Sequence, residues 1–241
     1  MNINHKPLTI LLDLLFPRAC GTCGSEADDA GHVCWSCRAG ISMIAPPLCA
    51  ICGDAAAGRI DDEFICHVCA EERPHFDFAR SAARYDSTLR TMIQDFKYHK
   101  ALWFRDELAG LLRACVDVHY TPDRIDVVAA VPLYHARQRE RGYNQAAVLA
   151  SALARRLRKP VLRRALVRVR PTATQTRLTA GDRLPNVKDA FEARRSSRVE
   201  GKNILLVDDV MTTGATLSEC ARALKVAGAR SVYAVTLARG V

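Results

Sequence analysis

Residues 203–216 constrain the fold of this chain more than any other stretch. An uninterrupted apolar run, Ile204–Val207, leads into two adjacent aspartates and then into a short Thr/Gly segment. Such a run is typical of a parallel strand that is buried on both faces. Apolar residues recur at helical spacing from Leu217 onward, and Gly228 fits the end of that helix. The stretch therefore predicts a strand, a tight turn and a helix in direct succession, with the two acids ending the strand.

The predicted turn has the composition of an anion site. Free N–H groups and the positive end of the helix dipole converge at a helix N-terminus, and threonine hydroxyls add donors. Two carboxylates do not suit a phosphate, but they can accept hydrogen bonds from neighbouring ribose hydroxyls. The alternative is an ordinary strand–turn–helix with a polar turn. We expect a phosphorylated pentose in contact with Asp208, Asp209, Met211, Thr212, Thr213, Gly214, Ala215 and Thr216.

Eight of the ten cysteines form four C-x-x-C pairs within residues 20–69. A C-x-x-C turn places two thiolates on one side, and two such turns complete a tetrahedral four-sulfur zinc site. Disulfides are one alternative, but no export signal is visible and the cytosol keeps thiols reduced. A cross-braced arrangement, first pair with third and second with fourth, is another. We predict two consecutive structural zinc ribbons, one with Cys20, Cys23, Cys34 and Cys37 and one with Cys49, Cys52, Cys66 and Cys69.

Charge is divided unevenly along the chain. Residues 1–78 contain five Lys/Arg and eleven Asp/Glu, net −6, whereas residues 79–241 contain thirty and fifteen, net +15. This asymmetry favours two domains, which we place at 1–74 (an N-terminal helix and the double zinc ribbon) and at 75–241. It also favours an anionic partner of the second domain, either a phosphorylated substrate or nucleic acid.

No apolar run approaches the roughly 20 residues of a membrane span. The stretch Leu8–Phe16 is short and contains Asp13, so it is better described as an amphipathic helix than as a secretion signal. We therefore expect a cytoplasmic protein without a membrane span.

A second strand–loop–helix unit begins at Ile125–Val131, and its predicted loop carries arginines at 137, 139 and 141. Arginine is the preferred residue for bidentate phosphate contacts. We favour a ligand role for Arg137, Arg141 and Asn144 over a solvated basic surface. Lys97, at the end of a predicted helix, is a further candidate, with a solvated basic turn as the alternative.

Residues 161–169 and 231–237 are further strand candidates, and Thr172–Asp189 is polar and without periodicity. A polar segment between ordered elements suits a mobile lid over a site, with a plain surface loop as the alternative. Gln175 and Arg183 are the candidate lid contacts. The chain has few aromatic residues, and only Tyr143 lies among arginines, so the sequence does not predict base stacking.

Several short motifs occur in a fixed order: Arg-x-Arg-Gly-Tyr-Asn-Gln at 139–145, Thr-x-x-Gln at 172–175, Arg-x-x-Asn-Val at 183–187 and Leu-Leu-Val-Asp-Asp-Val-x-Thr-Thr-Gly-Ala-Thr at 205–216. Together with the predicted zinc ribbons, they resemble the ComF (competence protein F, GntX-like) family. The last motif is also similar to the phosphoribosyl diphosphate (PRPP) signature of type I phosphoribosyltransferases.

The resemblance implies an α/β fold of the type I phosphoribosyltransferase class, a parallel sheet with helices on both faces, preceded by a small zinc-ribbon domain. It implies PRPP at the carboxyl ends of the strands, with Mg²⁺ bridging phosphate and hydroxyl oxygens, and Asp208 and Asp209 as catalytic residues if pentosyl transfer occurs. It further implies handling of imported single-stranded DNA in natural competence, with competence-machinery proteins as partners. The alternative is an active phosphoribosyltransferase of nucleotide metabolism or salvage with an unknown acceptor.

One departure from related enzymes narrows that alternative. Purine-salvage members of the fold commonly carry an acid at the position of Thr212 and a lysine at that of Ala215. Neither is present here, so hypoxanthine or guanine salvage is not expected.

Overall fold

The computed structural model of the protein describes residues 19–27, 31–60, 62–171, 187–194, 196 and 198–240. Its strands are β1 (Phe78–Arg84), β2 (Val127–Ala130), β3 (Leu166–Arg168), β4 (Phe191–Ala193), β5 (Asn203–Met211) and β6 (Ser231–Arg239). Its helices are α1 (Trp35–Ala39), α2 (His67–Glu71), α3 (Ser87–Tyr98), α4 (Arg105–His119), α5 (His135–Arg141), α6 (Gln145–Leu157) and α7 (Ala215–Val226). Short 3₁₀ turns lie at Leu102–Phe104 and Pro122–Arg124.

Four strands form one parallel sheet in the order β1–β6–β5–β2. A hydrophobic core lies on each face of the sheet. β5 contributes side chains to both, because successive side chains of a strand point to opposite faces. Leu205 and Val207 pack with α3, α4 and α6 on one face, while Ile204 and Leu206 pack with α7 and the β3–β4 pair on the other. The predicted α/β class, with a parallel sheet and helices on both faces, is confirmed.

The strand predicted over residues 161–169 is largely wrong. Val161 makes a single parallel bridge to Val128 of β2, and only Leu166–Arg168 form a strand, which pairs antiparallel with β4 outside the main sheet. Arg164 adopts a left-handed backbone conformation, with φ of 59°. That conformation interrupts an extended chain, so the stretch cannot continue as one strand.

The two zinc ribbons repeat one local structure. In each, the glycine after the first C-x-x-C donates its N–H to the carbonyl of the first cysteine, Gly24 to Cys20 at 2.8 Å and Gly53 to Cys49 at 2.9 Å. In each, a five-residue helix, α1 or α2, starts directly after the third cysteine. A Cβ at Gly53 would lie 2.6 Å from the carbonyl oxygen of Ala79, so glycine is required there for close contact with β1 as well as for its φ of 70°.

The segment between the two ribbons covers the outer edge of the sheet. Ile44 donates its N–H to the carbonyl of Ala82 at 3.2 Å, and Arg84 donates to the carbonyl of Ser42 at 2.8 Å. β1 is one of the two edge strands of the sheet, and an unpaired edge exposes N–H and C=O groups that favour aggregation. The ribbon region therefore covers part of this edge, while the predicted domain division at residues 74 and 75 stays a prediction.

None of the helices in the described part of the chain is both long and apolar enough to cross a bilayer.

Candidate functional site

The two acids of β5 lie beyond the end of the neighbouring strand β2. β5 pairs with β2 only as far as Val207, opposite Ala130, but it pairs with β6 as far as Met211, opposite Arg239. The sequence prediction that the strand ends at the acids is therefore wrong, because β6 continues beside them. Ligands of open α/β sheets bind outside the carboxyl ends of the strands, which is where this edge lies.

Asp209 points into the face covered by α3 and is almost fully buried, with 4% of its surface exposed. Lys97 of α3 places its Nζ 2.7 Å from Asp209 Oδ1. Burial opposes the charge of Lys97, but the charge and hydrogen bond of Asp209 outweigh it and raise the pKa of Lys97. Asp209 Oδ2 is buried and has no hydrogen-bond partner among the described residues. The pair therefore holds two charges in place with one carboxylate oxygen unused.

Asp208 lies on the opposite face of the sheet and is half-buried. Burial, followed by the negative charge of Asp209, raises its pKa to about 8, although the N–H of Asp209 donates to Asp208 Oδ1 at 2.9 Å and opposes the shift. Burial and then the charge of Asp208 raise the pKa of the Cys220 thiol in α7. The adjacent acids thus occupy two environments, and Asp208 holds a proton near neutral pH.

The turn after β5 leads directly into α7. Thr213 Oγ1 accepts a hydrogen bond from the N–H of Ala215 at 3.4 Å, and the Gly214 carbonyl accepts one from the N–H of Ser218 at 2.8 Å. Gly214 has φ of 83°, a backbone conformation that residues other than glycine rarely adopt. Met211 and Ala215 are buried, while Thr212, Thr213 and Thr216 are half-buried. The predicted strand, turn and helix are present, with the threonines at the rim of the edge.

The predicted arginine loop is wrong, because residues 135–141 form helix α5. Arg137 and Arg141 are one helical turn apart, so they share a face. Arg141 donates from Nη1 to Gln145 Oε1 at 2.6 Å, and its guanidinium carbon lies 5.0 Å from the ring centre of Tyr98. Glycine at 142, with a left-handed backbone, ends the helix.

Asn144 has a structural task that the sequence did not indicate. Its Oδ1 accepts from the N–H of Ala147 at 3.3 Å, which caps α6, and its Nδ2 donates to the carbonyl of Val131 at 2.9 Å. This bond ties the start of α6 to the segment after β2. The ligand role predicted for Asn144 stays a prediction, as do those of Arg137 and Arg141.

Two residues near the acids were missed by sequence reasoning. Burial lowers the pKa of Arg168 in β3; the charge of Arg137 adds to this shift, and the charge of Asp208 opposes it. Burial raises the pKa of the Tyr143 hydroxyl. The negative charge of Asp209 adds to this shift, and the positive charge of Arg141 opposes it. Tyr143 Oη is buried without a hydrogen-bond partner in the described part of the chain. Only the basic composition of residues 155–170 hinted at Arg168.

Gln175 and Arg183, the two predicted lid contacts, lie outside the described residues.

The cysteines form the two predicted clusters. Within each set of four, the sulfur atoms lie within 4.8 Å of one another. The sequential pairing is therefore confirmed, and the cross-braced alternative is wrong. The first cluster contains Cys20, Cys23, Cys34 and Cys37, and the second contains Cys49, Cys52, Cys66 and Cys69.

Sulfur separations within the clusters fit zinc. Cys23 Sγ and Cys34 Sγ are 3.7 Å apart, and Cys52 Sγ and Cys66 Sγ are 3.6 Å apart. Four sulfurs at about 2.3 Å from a tetrahedral zinc lie roughly 3.8 Å from one another, whereas a disulfide requires about 2.0 Å. All ten cysteines are free thiols, and two closed four-sulfur sets support two structural zinc ions.

These features define a class of protein: a phosphoribosyltransferase-type α/β domain joined to two four-cysteine zinc ribbons. The phosphoribosyl transferase domain model matches residues 144–240, and the double zinc ribbon domain model matches residues 11–70.

Named relatives identify the family within that class. Over 211 residues the chain is 34% identical to competence protein F of Haemophilus influenzae, which covers 86% of this chain and 90% of the relative. It is 31% identical over 224 residues to DNA utilization protein YhgH of Salmonella typhimurium, covering 86% and 96%. It is 29% identical over 214 residues to competence protein ComFC of Bacillus subtilis, covering 86% and 84%. The chain belongs to the competence protein F (ComF) family.

Among solved structures, the glutamine PRPP amidotransferase of B. subtilis is 24% identical, with a TM-score of 0.37 over 55% of this chain and 25% of that one. The assignment to the family does not depend on this likeness.

Proposed function

We propose that this protein binds PRPP, or a nucleotide end that resembles it, at the carboxyl edge of β5 and handles single-stranded DNA during natural competence. The observation that carries the proposal is the position of Asp208, which projects half-buried beyond β2, four residues before the Thr212–Gly214 turn into α7. The matching phosphoribosyl transferase domain model supports the same ligand class.

The ligand's parts correspond to separate groups of the site. The 5-phosphate lies at the Thr212–Thr216 turn, where hydroxyls, backbone N–H groups and the start of a twelve-residue helix converge. Asp208 accepts from a ribose hydroxyl directly. Asp209 offers Oδ2, which has no hydrogen-bond partner among the described residues, while its Oδ1 stays on Lys97 Nζ at 2.7 Å. The ammonium group of Lys97 adds positive charge beside the ribose and the diphosphate.

Magnesium has a place in this arrangement as an ion carried with the diphosphate. Mg²⁺ prefers oxygen ligands and keeps several waters when it binds phosphates. It would neutralise charge on the diphosphate, and Arg137 and Arg141 would supply further positive charge from α5. The chain's own contribution is therefore positioning and charge neutralisation.

Calorimetry with PRPP and Mg²⁺ tests the site. At pH 9, where Asp208 has lost its proton, we expect Asp208→Asn with Asp209→Asn to weaken binding by about ten- to a hundredfold, because hydrogen bonds to charged groups contribute about 1.5–3 kcal/mol. Asp117→Asn, on the exposed side of α4, is the matched control and should bind as the wild type does. An affinity that does not respond to the double substitution would contradict the site.

The DNA part of the proposal has a separate test. The relatives named "competence protein" and "DNA utilization protein" support it, as does the net charge of +15 over residues 79–241. Affinity for single-stranded DNA should fall steeply as salt rises, because each neutralised phosphate releases counterions. Titration at two salt concentrations measures this slope, and a flat response would contradict binding through the basic domain.

Pentosyl transfer to an acceptor is the alternative use of the same site. In that reaction the bond from C1 of the ribose to the diphosphate oxygen breaks, pyrophosphate leaves, and the acceptor forms a new bond to C1. Pyrophosphate release from PRPP that depends on an added acceptor and disappears in Asp208→Asn would establish catalysis.

A further inference from the structure

Exposed aromatic side chains are concentrated in one short segment. Tyr98 at the end of α3 is 62% exposed, and Trp103 in the following 3₁₀ turn is 50% exposed, with Leu102 between them at 45%. Trp35 in the first ribbon is the other strongly exposed aromatic residue among those described. Large apolar side chains gathered on a surface often mark a binding site. We name Tyr98, Lys100, Leu102 and Trp103 the aromatic surface.

The backbone holds these side chains outward. Ala101 and Phe104 alternate with them and are completely buried, so they fix the segment to the core. Lys100 adopts a left-handed conformation with φ of 56°, which turns the chain between α3 and the 3₁₀ helix. The ring of Trp103 packs beside Phe104 with centroids 5.9 Å apart. The exposure is therefore part of an ordered structure and not the fraying of a helix end.

Positive charge lies directly beside the aromatic rings. The guanidinium carbon of Arg141 is 5.0 Å from the centre of the Tyr98 ring, and the Lys100 side chain reaches the backbone near Gly142. The acids nearest to the aromatic surface in the sequence already have partners: Asp95 contacts His99 at 2.8 Å, and Asp106 contacts Arg105 at 2.9 Å.

The helix behind this surface adds to the charge. α5 contains three arginines, at 137, 139 and 141, against the single acid Glu140. The chemistry of the surface is thus aromatic and cationic together.

The aromatic surface adjoins the candidate phosphate site. Lys97, one residue before Tyr98, contacts Asp209 at 2.7 Å. Tyr143, which follows the Arg141 helix, packs edge-to-face on Phe96 with centroids 5.8 Å apart. The end of α3 therefore carries both the contact to Asp209 and the exposed ring of Tyr98.

We propose that the aromatic surface stacks the bases of single-stranded DNA whose phosphorylated end lies in the Asp208–Thr216 site. This inference rests on the proposed function and specifies where the strand leaves the site. A single strand offers unpaired base faces together with a phosphate backbone, which matches exposed aromatic rings flanked by Lys100 and Arg141. A duplex keeps its base faces stacked internally and matches only the charge.

Fluorescence gives a direct readout of stacking. The chain has two tryptophans, Trp35 and Trp103, so Trp35→Phe leaves Trp103 as the only indole. Saturating 5′-phosphorylated oligo(dT) should quench this emission through base contact, whereas a duplex of equal length should not. Unchanged Trp103 emission at saturation would overturn the proposal.

Affinities of variants give the second readout. Base–aromatic stacking is lost on truncation, so Tyr98→Ala and Trp103→Ala should each weaken oligo(dT) binding by about five- to a hundredfold. Tyr98→Phe keeps the ring and should bind like the wild type. Val226→Ala removes an even more exposed apolar side chain (76%) at the opposite edge of the sheet and is the control. Equal affinities for the control and the alanine variants would overturn the proposal.

The outcomes separate the two proposals. Tyr98→Ala and Trp103→Ala should retain wild-type PRPP affinity in calorimetry, because neither residue lies among the PRPP contacts. Selective loss of oligo(dT) binding with PRPP binding intact supports the aromatic surface. Failure of wild-type protein to bind PRPP, with quenching by oligo(dT) intact, contradicts the phosphoribosyl site and leaves the stacking surface supported.

Discussion

At the residue scale, two identical neighbours in the sequence acquire different chemistry from the sheet. Asp208 and Asp209 are adjacent, so a strand turns them to opposite faces. Asp209 meets Lys97 in a nearly buried ion pair, whereas burial and the charge of Asp209 raise the pKa of Asp208 to about 8. Asp209 is therefore held by a cation, whereas Asp208 has a raised pKa.

The raised pKa of Asp208 predicts a specific dependence of stability on pH. The folded state binds this proton more tightly than the unfolded state, so the stabilisation is complete below about pH 4 and is lost as pH rises through about 8. Asp208→Asn removes the titration. Its free energy of unfolding should exceed that of the wild type by an amount that grows between pH 5 and 8, at most about 1.4 kcal/mol per pH unit.

Urea unfolding of both proteins from pH 5 to 9 measures this difference in the free energy of unfolding. The titration of the cysteine thiols is common to both proteins and therefore cancels. Asp117→Asn should follow the wild-type curve. Parallel curves for Asp208→Asn and the wild type would show that Asp208 titrates normally.

The Lys97–Asp209 pair predicts a large effect of removing one partner. Lys97→Met leaves a buried carboxylate without its counter-ion, which costs about 3–5 kcal/mol, whereas Lys97→Met with Asp209→Asn should recover much of that loss. Lys225→Met breaks the half-exposed pair with Asp77 and should cost about 1 kcal/mol or less. Denaturant unfolding at pH 7 compares them. A Lys97→Met loss no larger than that of Lys225→Met would contradict the buried-pair description.

At the scale of elements, β6 connects the second zinc ribbon to the ligand edge. Arg239, at the end of β6, donates from Nη1 to the carbonyl of Cys52 at 3.0 Å, and its Nη2 lies 3.7 Å from Cys52 Sγ. The same residue is in register with Met211 at the start of the phosphate turn. The next residue, Gly240, donates its N–H to the carbonyl of Met211 at 2.8 Å. One strand end thus supports both a metal ligand and the turn.

Arg239→Gln should weaken zinc at the second ribbon and leave the first unchanged. Groups that hydrogen-bond to metal ligands typically change metal affinity by about 10–100-fold when they are removed. Zinc release to a colorimetric chelator should therefore change from one slow phase to a fast and a slow phase of equal amplitude. Arg230→Gln, at the opposite edge of the sheet, is the control. Uniform release from both sites in Arg239→Gln would contradict a role confined to Cys52.

At the scale of the whole molecule, the ribbons and the α/β domain share contacts along two elements. Ser42–Ile44 pair with β1, and in the first ribbon the N–H of His32 donates to Glu107 Oε1 of α4 at 2.7 Å. A Cβ at Gly21 would lie 2.6 Å from the Phe104 ring, which shows how closely that ribbon packs beside the 3₁₀ turn. We therefore expect metal binding at the ribbons to contribute to the stability of the sheet.

Zinc removal should consequently affect more than the ribbons. We expect two zinc ions per chain by elemental analysis and, after chelation, a lower Tm of the whole chain together with self-association through the uncovered edge of β1. Calorimetry and light scattering measure the two effects, and readdition of zinc is the control. An α/β domain that keeps its Tm without zinc would show that the ribbon contacts are not stabilising.

The sequence by itself determined the parts that depend on local spacing. Four C-x-x-C pairs at regular intervals predicted two zinc ribbons, and the run at 203–216 predicted a buried strand, a turn and a helix, because period and turn chemistry act over a few residues. Local patterns also misled. The arginines at 137–141 suggested a loop, yet left-handed Gly142 allows one short helix before α6 begins. Residues 161–169 suggested one strand, which Arg164 interrupts.

Only the tertiary structure decided which distant side chains share a site. Lys97 is more than a hundred residues from Asp209 in the sequence and contacts it at 2.7 Å. The guanidinium group of Arg141, from a different helix, lies over the ring of Tyr98. Arg239 reaches a zinc ligand that lies far earlier in the chain. These contacts follow from the order of parallel strands and the packing of helices on both faces, which bring remote residues to one edge. Periodicity in a sequence records which face of an element is buried, but it carries no information about the partner across that face.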